Sequence, residues 1–162
     1  MAFDAFYYDN RGDRVSSYEM QTSWRTRFWN LGALASLGQS TTARSQLMWG
    51  NTLVGPDTPW GIPVDVDFTA AYLLITRELG PGKLSVRGDW FETRDNSFVA
   101  GDNNNEDGWS AAIAYKAAVH DHADLLVELI HVSSERPGRL LYGGIAAHQD
   151  QTMLQTSLRL HL

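Results

Sequence analysis

The chain has 162 residues, no cysteine and a formal net charge of -6. That balance excludes disulfides, thiolate chemistry and cysteine metal sites, and it offers no basic footprint for nucleic acid. No run of about 18 apolar residues occurs, so no transmembrane helix is written in the sequence. A membrane-crossing barrel stays open, because its strands place apolar residues only at every second position. At this length, with no Pro- or Ser-rich linker, one domain is expected.

Strand-like alternation begins at once, over residues 2–8, with no positive segment or cleavage motif before it; if the protein is exported, its start is expected to be missing. The second strand is expected over 22–37. There Trp24 and Phe28 oppose Arg25 and Arg27, and residues 30–32 lose the phase, as at a bulge. The third, 41–51, sets Ala43, Leu47 and Trp49 against Arg44 and Gln46. The fourth, 64–77, sets Val64, Val66, Phe68, Ala70, Tyr72 and Leu74 against Asp65, Asp67, Thr69 and Arg77. The fifth, 83–93, sets Leu84, Val86 and Trp90 against Ser85, Arg87, Asp89 and Thr93. The sixth, 108–118, sets Trp109, Ala111, Ile113 and Tyr115 against Ser110, Ala112, Ala114 and Lys116. A seventh is expected over 124–133. The eighth, 151–162, alternates strictly, with Leu154, Leu158, Leu160 and Leu162 on one face and Met153, Gln155, Ser157, Arg159 and His161 on the other. Most of these runs reach about 9 to 12 residues, the length a tilted strand needs to cross a bilayer core. Ordinary globular strands average about 5 to 6.

The connections give an independent signal. Residues 9–21, 52–63, 96–107 and 134–150 are long, whereas 38–40, 78–82 and 119–123 are short. Alternation of short and long connections is expected of a barrel with periplasmic turns on one side and extracellular loops on the other. A soluble sandwich has no reason to sort loop length by parity.

This pattern predicts an all-β, antiparallel, up-and-down transmembrane β-barrel of about eight strands, either complete or the C-terminal part of a larger one. Trp24, Trp49, Tyr72, Trp90, Trp109 and Tyr115, with Tyr7, are expected on the outer face. Rings of that kind bury in lipid while an N–H or O–H stays wet, which produces an aromatic girdle. Arg25, Arg27, Arg44, Arg87, Lys116 and Arg159 are expected inside with Asp4, Asp65, Asp67, Asp89 and Glu128. Opposed charges across a narrow lumen make a polar constriction for small hydrated solutes. The same charges equally describe ion pairs plugging a small barrel, since eight strands leave room only for side chains.

Other chemistry has less behind it. Residues 102–108, Asp-Asn-Asn-Asn-Glu-Asp-Gly, offer alternate oxygen ligands but lack the distal Glu and the helical frame of a calcium loop, and are expected to be a solvated acidic loop. His120 and His122 lie in a short polar turn, and with His131 they are not expected to bind metal. Ser133 or Ser134 beside a histidine supplies residue types for hydrolysis without a nucleophile motif, so no enzyme and no cofactor is expected. Residues 79–82 and 142–144 read as turn and loop chemistry, not as phosphate loops.

Several segments resemble the C-terminal part of porin-like outer-membrane proteins of Gram-negative bacteria. They are Tyr7-Tyr8-Asp9-Asn10-Arg11-Gly12-Asp13, Trp24-Arg25-Thr26-Arg27-Phe28, Val64-Asp65-Val66-Asp67-Phe68, Thr93-Arg94-Asp95, Leu126-Val127-Glu128, His131-Val132 and Arg136-Pro137. The resemblance runs along nearly all of the chain, as scattered strand patterns and not a catalytic signature. It implies residence in the bacterial outer membrane, passive uptake of small polar solutes, and contact with outer-membrane lipid. It also implies a C-terminal signal at Leu158, Leu160 and Leu162 for the barrel-assembly machinery, and it allows a homo-oligomer. The final residue is Leu162 where such proteins commonly end in Phe or Trp. Two other readings stand beside it: a small plugged outer-membrane barrel with a structural or adhesion role, and a soluble β-sandwich or lipocalin-like binding protein.

Overall fold

Alternating side chains extend the backbone into strands almost everywhere in the computed structural model, which describes residues 1–10, 24–55, 59, 64–97 and 103–161. The strands are β1 (Ala2–Asp9), β2 (Trp24–Ser36), β3 (Thr41–Val54), β4 (Val64–Leu79), β5 (Gly82–Asp95), β6 (Glu106–His120), β7 (Ala123–Glu135) and β8 (His148–Leu160), with one short helix, α1 (Gly138–Gly143), between β7 and β8. Each strand pairs antiparallel with the next, giving one eight-stranded up-and-down sheet in the order β1 to β8. Among the described residues β1 pairs only with β2, and β8 only with β7. The sheet is therefore not closed, and the complete eight-stranded barrel, one of the two forms expected from the sequence, is not seen: closure needs a β1–β8 register with its own shear, and none forms among the described residues.

Turns at one end of the sheet are tight. Gly38 (φ 84°) lets the Leu37 amide reach the Thr41 carbonyl at 2.8 Å, and Gly80 (φ 59°) turns β4 into β5; both take the left-handed conformation that glycine adopts without steric cost. The third turn, between β6 and β7, follows a register shift between Ala118 and His120. The strand ends joined by the longer connections lie at the opposite end.

The register settles which residues share a face. Ala5, Leu31, Leu47, Ala71, Trp90 and Trp109 pair successively across β1 to β6, and the neighbouring row runs Asp4, Gly32, Gln46, Tyr72, Asp89 and Ser110. The first row belongs to an apolar face and the second to a polar one. In β5 and β6 the apolar face is the more accessible, with Val86 49% and Trp109 48% exposed while Asp89 and Ser110 are partly covered. The sheet thus curls with the polar face concave.

Two expectations about phase are corrected by this register. No bulge interrupts β2 at residues 30–32: pairing to β1 and to β3 is unbroken there, and the irregularity lies in β6 instead. In β4 the apolar-face residues are Thr69, Ala71, Leu73 and Ile75, while Phe68, Ala70, Tyr72 and Leu74 lie on the polar face. In β2, likewise, Trp24 and Phe28 are on the polar face and Arg25 and Arg27 on the other. The cause is common to both strands. Above the Trp29–Trp49 row the convex face itself becomes polar, so the hydropathy of a strand's upper end inverts while its side-chain alternation does not.

No hydrophobic side chain is buried among the described residues. The side chains buried among the described residues are those of Asn30, Ser133 and Ser134, all polar.

Candidate functional site: the polar concave face

Strands β1 to β6 bring a belt of polar groups to one level of the concave face, because residues two apart on a strand share a side and the register aligns them across strands. Asp4, Gln46, Tyr72, Asp89 and Ser110 form one row; Arg44 and Arg87 stand in the adjacent row. Arg87 donates through Nε to both Asp89 oxygens, at 2.8 and 3.0 Å, and Ser110 Oγ donates to Asp89 Oδ2 at 3.1 Å. The Arg87 guanidinium also lies 4.3 Å from the centroid of the Tyr72 ring. Three hydrogen bonds to Asp89 and a cation–π contact hold this arginine in one orientation. A recess of about 320 Å³ opens beside it, lined by Gln46, Met48, Tyr72, Arg87, Asp89 and Ser110.

Below the belt, Lys116 pairs with Asp124 at 3.0 Å, and His161 Nε2 reaches the same carboxylate at 3.2 Å. Gln155 donates to Glu128, and Thr76 and Ser85 share a 2.9 Å hydrogen bond. Arg159 also lies on this face and makes no ion pair among the described residues.

Above the belt the concave face turns aromatic. Phe6 meets Phe28 edge-on at 5.7 Å, Tyr8 stacks on Phe28 at 5.2 Å, and Phe28 leans towards Phe68 at 6.3 Å. The cluster closes over Gly50, where a Cβ would collide with the Arg27 carbonyl and the Phe28 Cβ. Asn30 lies buried in the row just below, its Oδ1 without a hydrogen-bond partner among the described residues.

The top of the face carries a strap. Arg139 of α1 donates to the Ser134 and Ala147 carbonyls at 3.0 and 2.9 Å, to Ser134 Oγ at 2.7 Å and to Glu106 Oε1 at 2.8 Å. Arg136 adds a 3.1 Å bond to Asn104. Residues 142–144, read as plain loop from sequence, end this helix, with Gly144 in the left-handed conformation (φ 63°).

The candidate set expected from sequence divides between the two faces. Arg44, Arg87, Asp89, Lys116, Glu128 and Arg159 share the concave face with Asp4. Arg25, Arg27, Asp65 and Asp67 sit on the convex side, in a polar rim above the apolar band. There Arg25 makes a bidentate pair with Asp9 at 2.9 and 2.6 Å, and Asn51 donates to Asp65 and Asp67 at 2.7 and 2.9 Å. Of the aromatic candidates, Trp49, Trp90, Trp109, Tyr115 and Tyr7 lie on the apolar face, whereas Trp24 and Tyr72 lie on the concave one. Leu158 and Leu160 are on the apolar face, and Leu162 lies outside the described residues. Asp102 and residues 11–13 also lie outside them.

Sequence reading missed Trp29, which pairs with both Tyr7 and Trp49 and extends the aromatic row, and it missed the anchoring role of Arg139. The first was accessible by carrying the phase of β3 across its hairpin into β2; the second had no signal, since nothing in the sequence announces which arginine reaches back to a strand. No three histidine or acidic side chains gather in a metal-binding arrangement among the described residues. His131 lies on the convex face, 5.2 Å from the Trp109 ring and bonded to Thr152 at 2.9 Å.

No protein family, curated protein or solved structure matches the chain.

Proposed function

We propose that the protein is a porin-like channel of the bacterial outer membrane, with the convex band against lipid and the concave polar belt lining a path for small polar solutes. The observation that carries this reading is the absence of any buried hydrophobic side chain among the described residues, beside a continuous exposed apolar band that includes Trp29, Leu47, Leu73, Trp90, Ile113 and Leu154. Burying one such side chain fully is worth about 1.5–3 kcal/mol. Leaving the whole band in water would forfeit more than the 5–15 kcal/mol that typically holds a domain together. A bilayer supplies the missing apolar phase.

Along β4 the convex side carries Thr69, Ala71, Leu73 and Ile75, about 20 Å of strand, and Arg77 near the tight turn marks its lower border. Tyr7, Trp29 and Trp49 mark the upper border of the band, and the polar rim of Arg25, Arg27, Asp65 and Asp67 lies beyond it. This is the order of apolar band, aromatic girdle and polar head-group zone that a membrane barrel presents to lipid. The alternation of tight turns and longer connections supports the same orientation.

A plugged barrel with a structural role is the second reading. What favours it is the degree of pairing on the concave face, where Arg87, Lys116 and Arg139 all meet carboxylates. Planar-bilayer recording separates the two. The refolded chain is expected to give stepwise conductance whose cation/anion permeability ratio shifts in Arg44→Gln and stays unchanged in Arg27→Gln. A folded, inserted protein without conductance would establish the plug instead.

A further inference from the structure

The charged groups of the concave belt are unequally engaged. Arg87 is held by Asp89 and Tyr72, and Lys83 and Lys116 by Glu78 and Asp124. Among the described residues, Asp4 on β1 and Arg44 on β3 make no ion pair or hydrogen bond, nor does the Gln46 side chain. Free charges of opposite sign at one level of a polar face would ordinarily find each other. Here β2 keeps them apart, because Gly32 stands between Asp4 and Gln46 in the register and Leu34 stands beside Arg44. The Asp4 carboxylate lies over Gly32 itself, in the space a Cβ would occupy. The result is a recess of about 380 Å³ lined by Asp4, Gly32, Arg44, Gln46 and Tyr72, with Asp4 on β1 and Arg44 on β3, the strands either side of β2.

From this geometry we infer that the Asp4–Arg44 recess is a binding site for a small zwitterion of the α-amino-acid type, its carboxylate on Arg44 and its ammonium on Asp4. The guanidinium offers a planar fork that matches a carboxylate with two parallel hydrogen bonds, and Asp4 offers only acceptors, which suits an ammonium. Gln46 has both a donor and an acceptor for a polar side chain on the ligand. A purely anionic solute would leave Asp4 as a repelling neighbour, and a purely cationic one would meet Arg44. A neutral solute would have to displace water from two charges without replacing their interactions. Each of these is disfavoured relative to a ligand that satisfies both groups at once. Gly32 is required for the arrangement, since any side chain there would displace Asp4. The inference deepens the channel reading by naming its preferred solute class, and it rests on that reading for the route but not for the site.

Serine, glycerol and lactate are close in size and differ in charge, so they serve as probes. With the full chain refolded in lipid vesicles, serine entry is expected to exceed that of glycerol and lactate and to saturate with concentration. Asp4→Asn and Arg44→Gln are each expected to weaken apparent serine affinity about ten-fold, the usual effect of losing one charge-assisted hydrogen bond. The ratio of serine to glycerol entry is expected to fall in both. Gly32→Ala should act on serine in the same direction without removing either charge. If wild-type vesicles admit all three solutes alike, or if lactate gains from Arg44 with Asp4 indifferent, the zwitterion site is overturned and the channel stands. If no solute enters, the channel reading falls, and serine titration of the folded protein in micelles decides the site alone: saturable binding lost in both variants upholds it, and no binding overturns it.

Discussion

At the scale of single residues, the concave and convex faces differ in what they tolerate. Gly50 lies against the Arg27 carbonyl and the Phe28 Cβ, so Gly50→Ala forces backbone apart at the aromatic cluster. Overpacking of this kind typically costs about 1–3 kcal/mol. Gly88 has open space where a Cβ would go, and Gly88→Ala should leave stability within about 0.5 kcal/mol of the parent. Urea unfolding of the two refolded variants checks the contrast; equal effects would show that packing over Gly50 is not what the structure implies. Arg139 offers a second test. Its guanidinium bonds to two carbonyls, a hydroxyl and a carboxylate, so Arg139→Ala should release α1 and its flanks. Limited proteolysis between β7 and β8 is expected to speed up markedly, with the strands still protected.

At the scale of elements, the legibility of the sequence depended on where a strand's polarity changes. β5, β6 and β8 keep one hydropathy phase along most of their length, and their faces were readable from Trp90, Trp109 and Leu158 alone. β2 and β4 were misread because each carries charged residues on the convex side above the apolar band: Arg25 and Arg27 in one, Asp65 and Asp67 in the other. Those residues look like the polar face of a strand, yet they are the top of its apolar face. A hairpin constraint resolves the ambiguity. Leu79 pairs with Gly82 across the Gly80 turn, so the clear phase of β5 fixes that of β4 and moves Leu73 and Tyr72 to opposite sides. α1 was not legible because six residues give too little periodicity to register. The phase of β4 is directly testable. In vesicles, a cysteine at Leu74→Cys should react with a charged, membrane-impermeant thiol reagent added to both sides, and one at Leu73→Cys should not. The opposite pattern would restore the phase read from the sequence.

At the scale of the whole molecule, one architectural fact governs the rest: eight strands form a single sheet in sequence order, with polar residues on the concave side and nothing apolar buried among the described residues. The sequence carried the strand count, the antiparallel class and the parity of the connections, because local alternation and turn residues encode them. It did not carry closure, which depends on whether β1 and β8 find partners. In a barrel both edges would be paired; in the open sheet both leave backbone groups exposed, and unpaired edges are costly in lipid. Pairing of those edges is accordingly expected to accompany insertion, with amide exchange in β1 and β8 slowing on transfer from detergent-free buffer to vesicles. Exchange that stays fast in both strands would mean the sheet meets lipid without closing.

The most direct test of the central claim is tryptophan quenching by lipids brominated along their acyl chains. Trp29, Trp49, Trp90 and Trp109 all lie on the apolar face. The account predicts that the emission of the refolded chain falls by a large fraction in brominated vesicles relative to unlabelled ones, and that replacing these four residues by Phe removes most of the difference. Emission indifferent to bromine, from a protein that is folded and monodisperse in plain buffer, would contradict the assignment of the convex band to lipid.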